Sequence, residues 1–201
     1  MQKTINVKAD IMEVAEKLFC RFGFEKISMD RIAKESNHAK GSLYYHFTSK
    51  QNLVNSILEK EVENIKKELL TVIGNNEISE IQKIKEYAMV RMQSMNTSYS
   101  YHTALKNKIL QSKDTQLIEC FGKVHDSLTT WEKEQLTAII VSGKNNGVFN
   151  QKVNASKYVD MLMLTLSSLE FPFFICNSYE KCKTIFDYMI DETLFKPLEI
   201  I

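Results

Sequence analysis

With 201 residues the chain can hold one large domain or a small domain fused to a larger one. Its 44% hydrophobic and 25% charged content excludes a disordered polymer, and only two prolines and six glycines disfavour a many-turned β fold. The net charge of +1 hides an asymmetry, since residues 1–50 carry nine Lys/Arg against six Asp/Glu, leaving seventeen against nineteen for residues 51–201; a basic head of this size fits a nucleic-acid contact at one end, and fits a solvated surface equally well.

Cys20, Cys120, Cys176 and Cys182 form no C-x-x-C pair and no zinc-ligand spacing with the four histidines, so no metal and no cofactor is expected. No signal-peptide pattern opens the chain. The most apolar stretch, residues 158–176, contains Asp160, Glu170 and Pro172, a trio that argues against a membrane span. A cytoplasmic protein with reduced thiols is expected.

The first predicted helix places Ile11, Val14, Ala15, Leu18, Phe19 and Phe22 at helical spacing and ends at Gly23. A second begins near Ser28, whose hydroxyl can cap free amides, with Asp30 in the positive first turn and Met29, Ile32 and Ala33 as a short buried stripe. Residues 35–41, "ESNHAKG", supply a polar turn. A third short helix fits 39–46 with Leu43 and Phe47 inward. Thr48 or Ser49 then caps a long amphipathic helix carrying Leu53, Val54, Ile57, Leu58, Val62, Ile65 and Leu69 to about residue 73, which "GNNE" ends.

The remainder also reads as helical. Periodic segments cover 77–95 and 103–112, with a break at 97–101, and a stripe of Ile118, Phe121, Val124, Leu128, Trp131 and Gln135 runs from Thr115 to about Val141. Residues 142–150 read as a loop. Two more helices are expected at about 154–177 and 180–194, the first interrupted by Pro172, which removes a backbone donor. The fold class is therefore all-α: a three-helix helix-turn-helix domain over residues 1–50, then a larger helical domain over residues 51–201.

Two short helices joined by a tight polar turn are what a helix-turn-helix requires, and the second would present Lys40, Ser42, Tyr44, Tyr45 and His46 outward. Lys40 can reach a guanine edge or a phosphate, Gly41 lets the backbone approach the groove, and the phenols of Tyr44 and Tyr45 can donate to phosphates. His46 and Lys50 can add phosphate contacts, beside the amide end of the helix that begins at Ser49. Packing tyrosines and a solvated histidine would account for the same residues.

The run from Ala15 to Val54 resembles the DNA-binding domain of TetR-family transcriptional regulators. The resemblance is carried by Phe22-Gly23-Phe24 closing the first helix, by Ser28 with Ile32-Ala33 in the second, and by "KGSLYYHFTSK" from Lys40 to Lys50. "LYYHF" is similar to the recognition helix of multidrug-binding repressors in that family. The resemblance implies that Ser28 and Met29 meet the DNA backbone. It also implies that Lys40, Gly41 and Ser42 face bases or adjacent phosphates, that Tyr44, Tyr45 and His46 face phosphates and thymine methyls, and that Lys50 meets a phosphate. The family's turn commonly holds glycine and a small apolar residue where this chain has Asn37 and His38; asparagine tolerates the left-handed conformation, so the turn should survive, with His38 exposed to solvent.

The same resemblance implies that residues 51–201 form an effector-binding and dimerisation domain whose last two helices pair with those of a twin. It implies double-stranded DNA with a palindromic operator as partner, a homodimer, and repression released by a small effector. Residues 154–194 are apolar enough to need such a cover, including Tyr158, Leu162, Leu164, Leu166, Phe173 and Ile185. Met92, Met95, Phe121, His125, Trp131 and Met161 are candidates to line an adaptable pocket for an apolar or amphipathic effector, and are equally candidates for plain core. No catalytic order or nucleotide loop points to an enzyme, and Glu132 and Glu134 fall on different helix faces. A helical ligand-binding or thiol-sensing protein, using Cys176 and Cys182, is the alternative.

Overall fold

The computed structural model describes residues 6–98, 100, 115–176 and 178–198, and the regular structure among them is entirely helical. It divides into two compact units: residues 1–62 with 99–125, and residues 63–98 with 126–201. Two long helices contribute residues to both.

In the first unit, α1 (Val7–Phe22) begins where the Asn6 side chain accepts from the amide of Ala9 and stops at Gly23, whose φ of 83° suits glycine. Ser28 caps α2 (Met29–Glu35) by accepting from the amide of Arg31. The turn that follows rests on Asn37, whose φ of 54° puts it in the left-handed region that asparagine tolerates. Then comes α3 (Lys40–His46). The Ser49 hydroxyl accepts from the amide of Asn52 at the start of α4 (Lys50–Ile73).

These helices share one core of Ile11, Ala15, Ile27, Ile32, Leu43, Phe47, Leu53 and Ile57, all buried. Leu43 and Phe47 are the inward pair of α3, and neither has any exposed surface. His38 is not left to solvent: its Nε2 lies 2.7 Å from Asp10 Oδ2, tying the turn back to α1, and its side chain is 18% exposed. The helix expected over 103–112 lies outside the described residues.

In the second unit, α5 (Glu80–Thr97) is capped by Ser79, and α6 (Thr115–Asn145) enters from the first unit. The loop expected over 142–150 begins later than its composition indicates, because α6 continues through Gly143 to Asn145. The absence of a side chain at Gly143 makes room for Phe149: a methyl there would lie 2.2 Å from the Phe149 ring, which is wholly buried. The amides of Val148 and Phe149 both donate to the Gly143 carbonyl, at 2.8 and 3.0 Å, and Gly147 takes the turn at φ 69°.

Asn154 caps α7 (Ala155–Glu170). Pro172 cannot donate to the preceding turn, and the chain widens into a π-helical turn over Phe171–Ile175, with the amide of Cys176 donating to the Phe171 carbonyl at 3.1 Å. A last helix, α8 (Tyr179–Met189), runs into a second π turn (Ile190–Leu194) and a short 3-10 turn (Lys196–Leu198).

The interior of this unit holds an ionic cluster that sequence reading passes over. From α5, the Arg91 guanidinium meets Glu132 Oε1 of α6 at 2.6 Å and Glu170 Oε1 of α7 at 2.8 Å, and all three side chains are buried. The Tyr87 hydroxyl donates to Glu132 Oε1 at 3.0 Å, and burial pushes its pKa well above the usual phenol value. The signal was present in α6: Glu132 stands four residues from both Leu128 and Leu136 on the buried line. Among the described residues, no helix is long and apolar enough to cross a membrane.

Candidate nucleic-acid interface

The surface of α3 is built by its own anchoring. With Leu43 and Phe47 sunk in the core, the other side chains of a two-turn helix must face outward. Tyr45 is 84% exposed and Tyr44 43%. Lys40 and Gly41 are also exposed, while Ser42 and His46 are half-buried. The rings of Tyr45 and His46 meet edge-on at 5.1 Å between centroids, which restrains both tips. Tyrosine, lysine, serine and histidine tips side by side on an exposed helix form a donor-rich face suited to phosphates and base edges.

The flanking residues divide. Ser28 is exposed beside this helix pair but spends its hydroxyl on the cap of α2. Met29 is buried, so only its backbone can reach a partner. Lys50 has a different geometry from a free phosphate contact. Its ammonium donates to the carbonyls of Phe24 at 2.9 Å and Ile27 at 3.1 Å, and lies 4.1 Å from the centroid of the Phe24 ring. It ties the start of α4 to the segment between α1 and α2.

Lys40 has a partner that spacing does not reveal. Its Nζ lies 2.7 Å from Asp30 Oδ1 and 2.9 Å from Oδ2, an ion pair from the first turn of α2 to the first residue of α3.

The expected pocket residues separate. Phe121 and His125 belong to the first unit, stacked with ring centroids 5.3 Å apart, whereas Met92, Met95, Trp131 and Met161 belong to the second. Met92 and Met95 are wholly buried, Lys66 lies 5.7 Å from the Trp131 ring centroid, and Met161 is 40% exposed on α7. A partly open apolar recess in the first unit is small, with room for about one water molecule (30 Å³), and is lined by Phe19, Cys20, Phe24, Ile57 and Leu117 among others. All four cysteines are free thiols, Cys176 exposed and the rest half-buried.

A short helix with two buried anchors, a left-handed turn before it and a donor-rich outer face define a helix-turn-helix of the DNA-binding class. Comparison with known proteins agrees. The family described as "Bacterial regulatory proteins, tetR family" matches residues 11–57. The chain is 33% identical over 111 residues to the HTH-type transcriptional regulator QacR of Staphylococcus aureus, a match spanning 53% of this chain and 54% of that protein. A TetR transcription regulator from Haloarcula marismortui superposes with a TM-score of 0.77 at 16% identity, over 97% of this chain and 99% of its own. The regulator FadR from Bacillus subtilis, solved in complex with stearoyl-CoA, does so with a TM-score of 0.69 at 14% identity, over 95% and 99%. Residues 11–57 therefore match the DNA-binding domain of the TetR family of regulators, and the chain shares the fold of the solved TetR regulators over nearly its whole length.

Proposed function

We propose that this regulator is a homodimeric repressor that holds a palindromic operator and is released by a small apolar or amphipathic effector. Residues 1–50 would carry the DNA contacts and residues 51–201 the effector and the twofold contact. The observation that carries the reading is the outer face of α3, where Lys40, Ser42, Tyr44, Tyr45 and His46 surround a helix anchored by two fully buried residues. On this reading Lys40, Gly41 and Ser42 meet bases or adjacent phosphates. Tyr44, Tyr45 and His46 meet phosphates and thymine methyls, and Ser28 and the backbone at Met29 meet the DNA backbone. Lys50 contributes by holding the segment under α2 in place.

Twofold pairing is supported by the apolar surface of α7 and α8. Leu164 is 74% exposed, Ile185 69% and Tyr188 68%. Large apolar side chains gathered on two consecutive helices indicate a covered face, and a twofold interface covers it with itself. In such a dimer the two recognition helices must stand about 34–36 Å apart to enter successive major grooves. An effector acts by its differential affinity for the DNA-competent spacing and for others, and by no more. The side chains proposed to adapt to it are, within the second unit, Met92, Met95, Trp131 and Met161, and, within the first, Phe121 and His125. A long acyl thioester, the type of molecule bound to the Bacillus subtilis FadR, belongs to the same amphipathic class.

Selection of duplex DNA from a random pool tests the reading. Recovery of an inverted repeat with one-turn half-site spacing, lost with Tyr44→Ala, is the expected result. Recovery of nothing above background would return the chain to a helical ligand-binding protein.

A further inference from the structure

We propose that Asp30 is a specificity-determining residue of the DNA-reading face: its carboxylate competes with DNA phosphates for Lys40, holding down affinity for random sequence while leaving Lys40 free to exchange onto an operator. The inference rests on the reading of α3 as the DNA-reading helix. Lys40 is the only Lys or Arg of α3, so the formal charge of the recognition helix is the charge that Asp30 faces. Both carboxylate oxygens of Asp30 lie within 3 Å of the Lys40 ammonium, at 2.7 and 2.9 Å. The two side chains are 60% and 63% exposed, so the pair stands on the same open surface that DNA would occupy. Asp30 also keeps the Lys40 pKa above the usual lysine value.

An exposed pair of this kind contributes little to stability and is readily exchanged. Its effect falls on binding instead. Affinity for random sequence comes from phosphates neutralised and counterions released, with each contact adding about 0.9 to the slope of log affinity against log salt. A lysine already neutralised by a carboxylate must give up that partner to meet a phosphate, and the exchange releases little. At about 4 Å in water the unit-charge attraction given up is worth roughly fivefold in affinity. On an operator the balance differs, because the O6 and N7 of a guanine add acceptors for Lys40 at a fixed place in the site, which random sequence does not supply in register. Asp30 therefore widens the gap between operator and random DNA through Lys40.

The test uses the full-length protein, a fluorescein-labelled random-sequence duplex of about three helical turns and the duplex recovered by selection. Binding is followed by anisotropy across a salt series for the parent, Asp30→Asn, Lys40→Met and the double variant, with thermal melting as the check on folding. Asp30→Asn should bind the random duplex about fivefold more tightly at low salt and steepen its salt slope by nearly one, while the selected duplex gains less. Lys40→Met should abolish most of that gain, since Asp30 acts through Lys40. A random-duplex affinity unchanged by Asp30→Asn, or a gain that persists undiminished in the Lys40→Met background, overturns the inference and leaves the DNA-binding reading intact. Failure of parent and variant alike to bind either duplex overturns both.

Discussion

The Nε of Arg91 lies 2.6 Å from Oε1 of Glu132, with neither side chain open to solvent. Together with Glu170, 2.8 Å from the same guanidinium, the pair joins α5, α6 and α7 through charge. Taking ions out of water costs several kcal/mol each, and only their mutual attraction offsets it. Arg91→Met should therefore destabilise the protein by about 3–5 kcal/mol, because two carboxylates are left facing each other in the interior. Replacing Arg91, Glu132 and Glu170 together by apolar residues of similar volume should cost far less. Urea unfolding followed by circular dichroism separates the two cases, and equal losses would show that the cluster is no unit.

Tyr44→Ala and Lys40→Ala should each weaken operator binding by about tenfold or more while leaving the melting temperature of the protein unchanged. Both side chains lie outside the core, so folding does not depend on them. Parent-like affinity in either variant would remove that residue from the interface.

Lys50→Met should behave differently. The two carbonyls that its ammonium serves, those of Phe24 and Ile27, lose a charged donor, at a cost of about 2 kcal/mol. A lowered melting temperature is expected alongside weaker DNA binding, where a simple phosphate contact would lower only the binding and its salt slope. Calorimetry of the variant decides between them.

Leu164→Glu and Ile185→Glu should each split the dimer without unfolding the chain, since both side chains are mostly exposed within one subunit. Sedimentation velocity at micromolar concentration should show the parent as a dimer and the variants as monomers with the same helical circular dichroism. A monomeric parent would end the twofold reading.

Cys20 and Cys176 should differ in reactivity. Burial pushes the Cys20 thiol from 9.0 up to about 11, so it stays protonated at neutral pH, while Cys176 is exposed. Alkylation by iodoacetamide at pH 8, read by peptide mass spectrometry, should label Cys176 well before Cys20. The same shift has a stability consequence: between about pH 9 and 11 the unfolded chain gives up this proton first, so the contribution of Cys20 is complete below pH 9 and falls as pH rises through 11. Equal labelling rates would contradict both statements.

Reading the residues in order located most of the head, because the features that built it are local. Ser28 caps α2 within three residues, Asn37 turns the chain by its own backbone, and Leu43 and Phe47 stand one helical turn apart. What escaped reading is tertiary. Asp30 is ten residues from Lys40, and Lys50 is more than twenty from the carbonyls it serves. Periodicity says which face a side chain occupies, and not which group waits there. The same limit hid the ionic cluster, whose members stand 41 and 79 residues from Arg91. Gly143 misled for another reason: glycine after serine signals a loop, yet here its bareness is filled by Phe149.

The core of the head does not stop where its recognition helix does. Leu53 and Ile57, from the first turns of α4, are buried among Ile11, Ile32, Leu43 and Phe47. A fragment cut after residue 50 would open that apolar centre to water on one side, and a chimera joined there would inherit a head missing part of its own floor. Exchanging reading heads between regulators of this build therefore calls for a junction inside α4, beyond Ile57, where the donor's apolar layer is complete and the graft is a continuation of one helix rather than a joint between two parts.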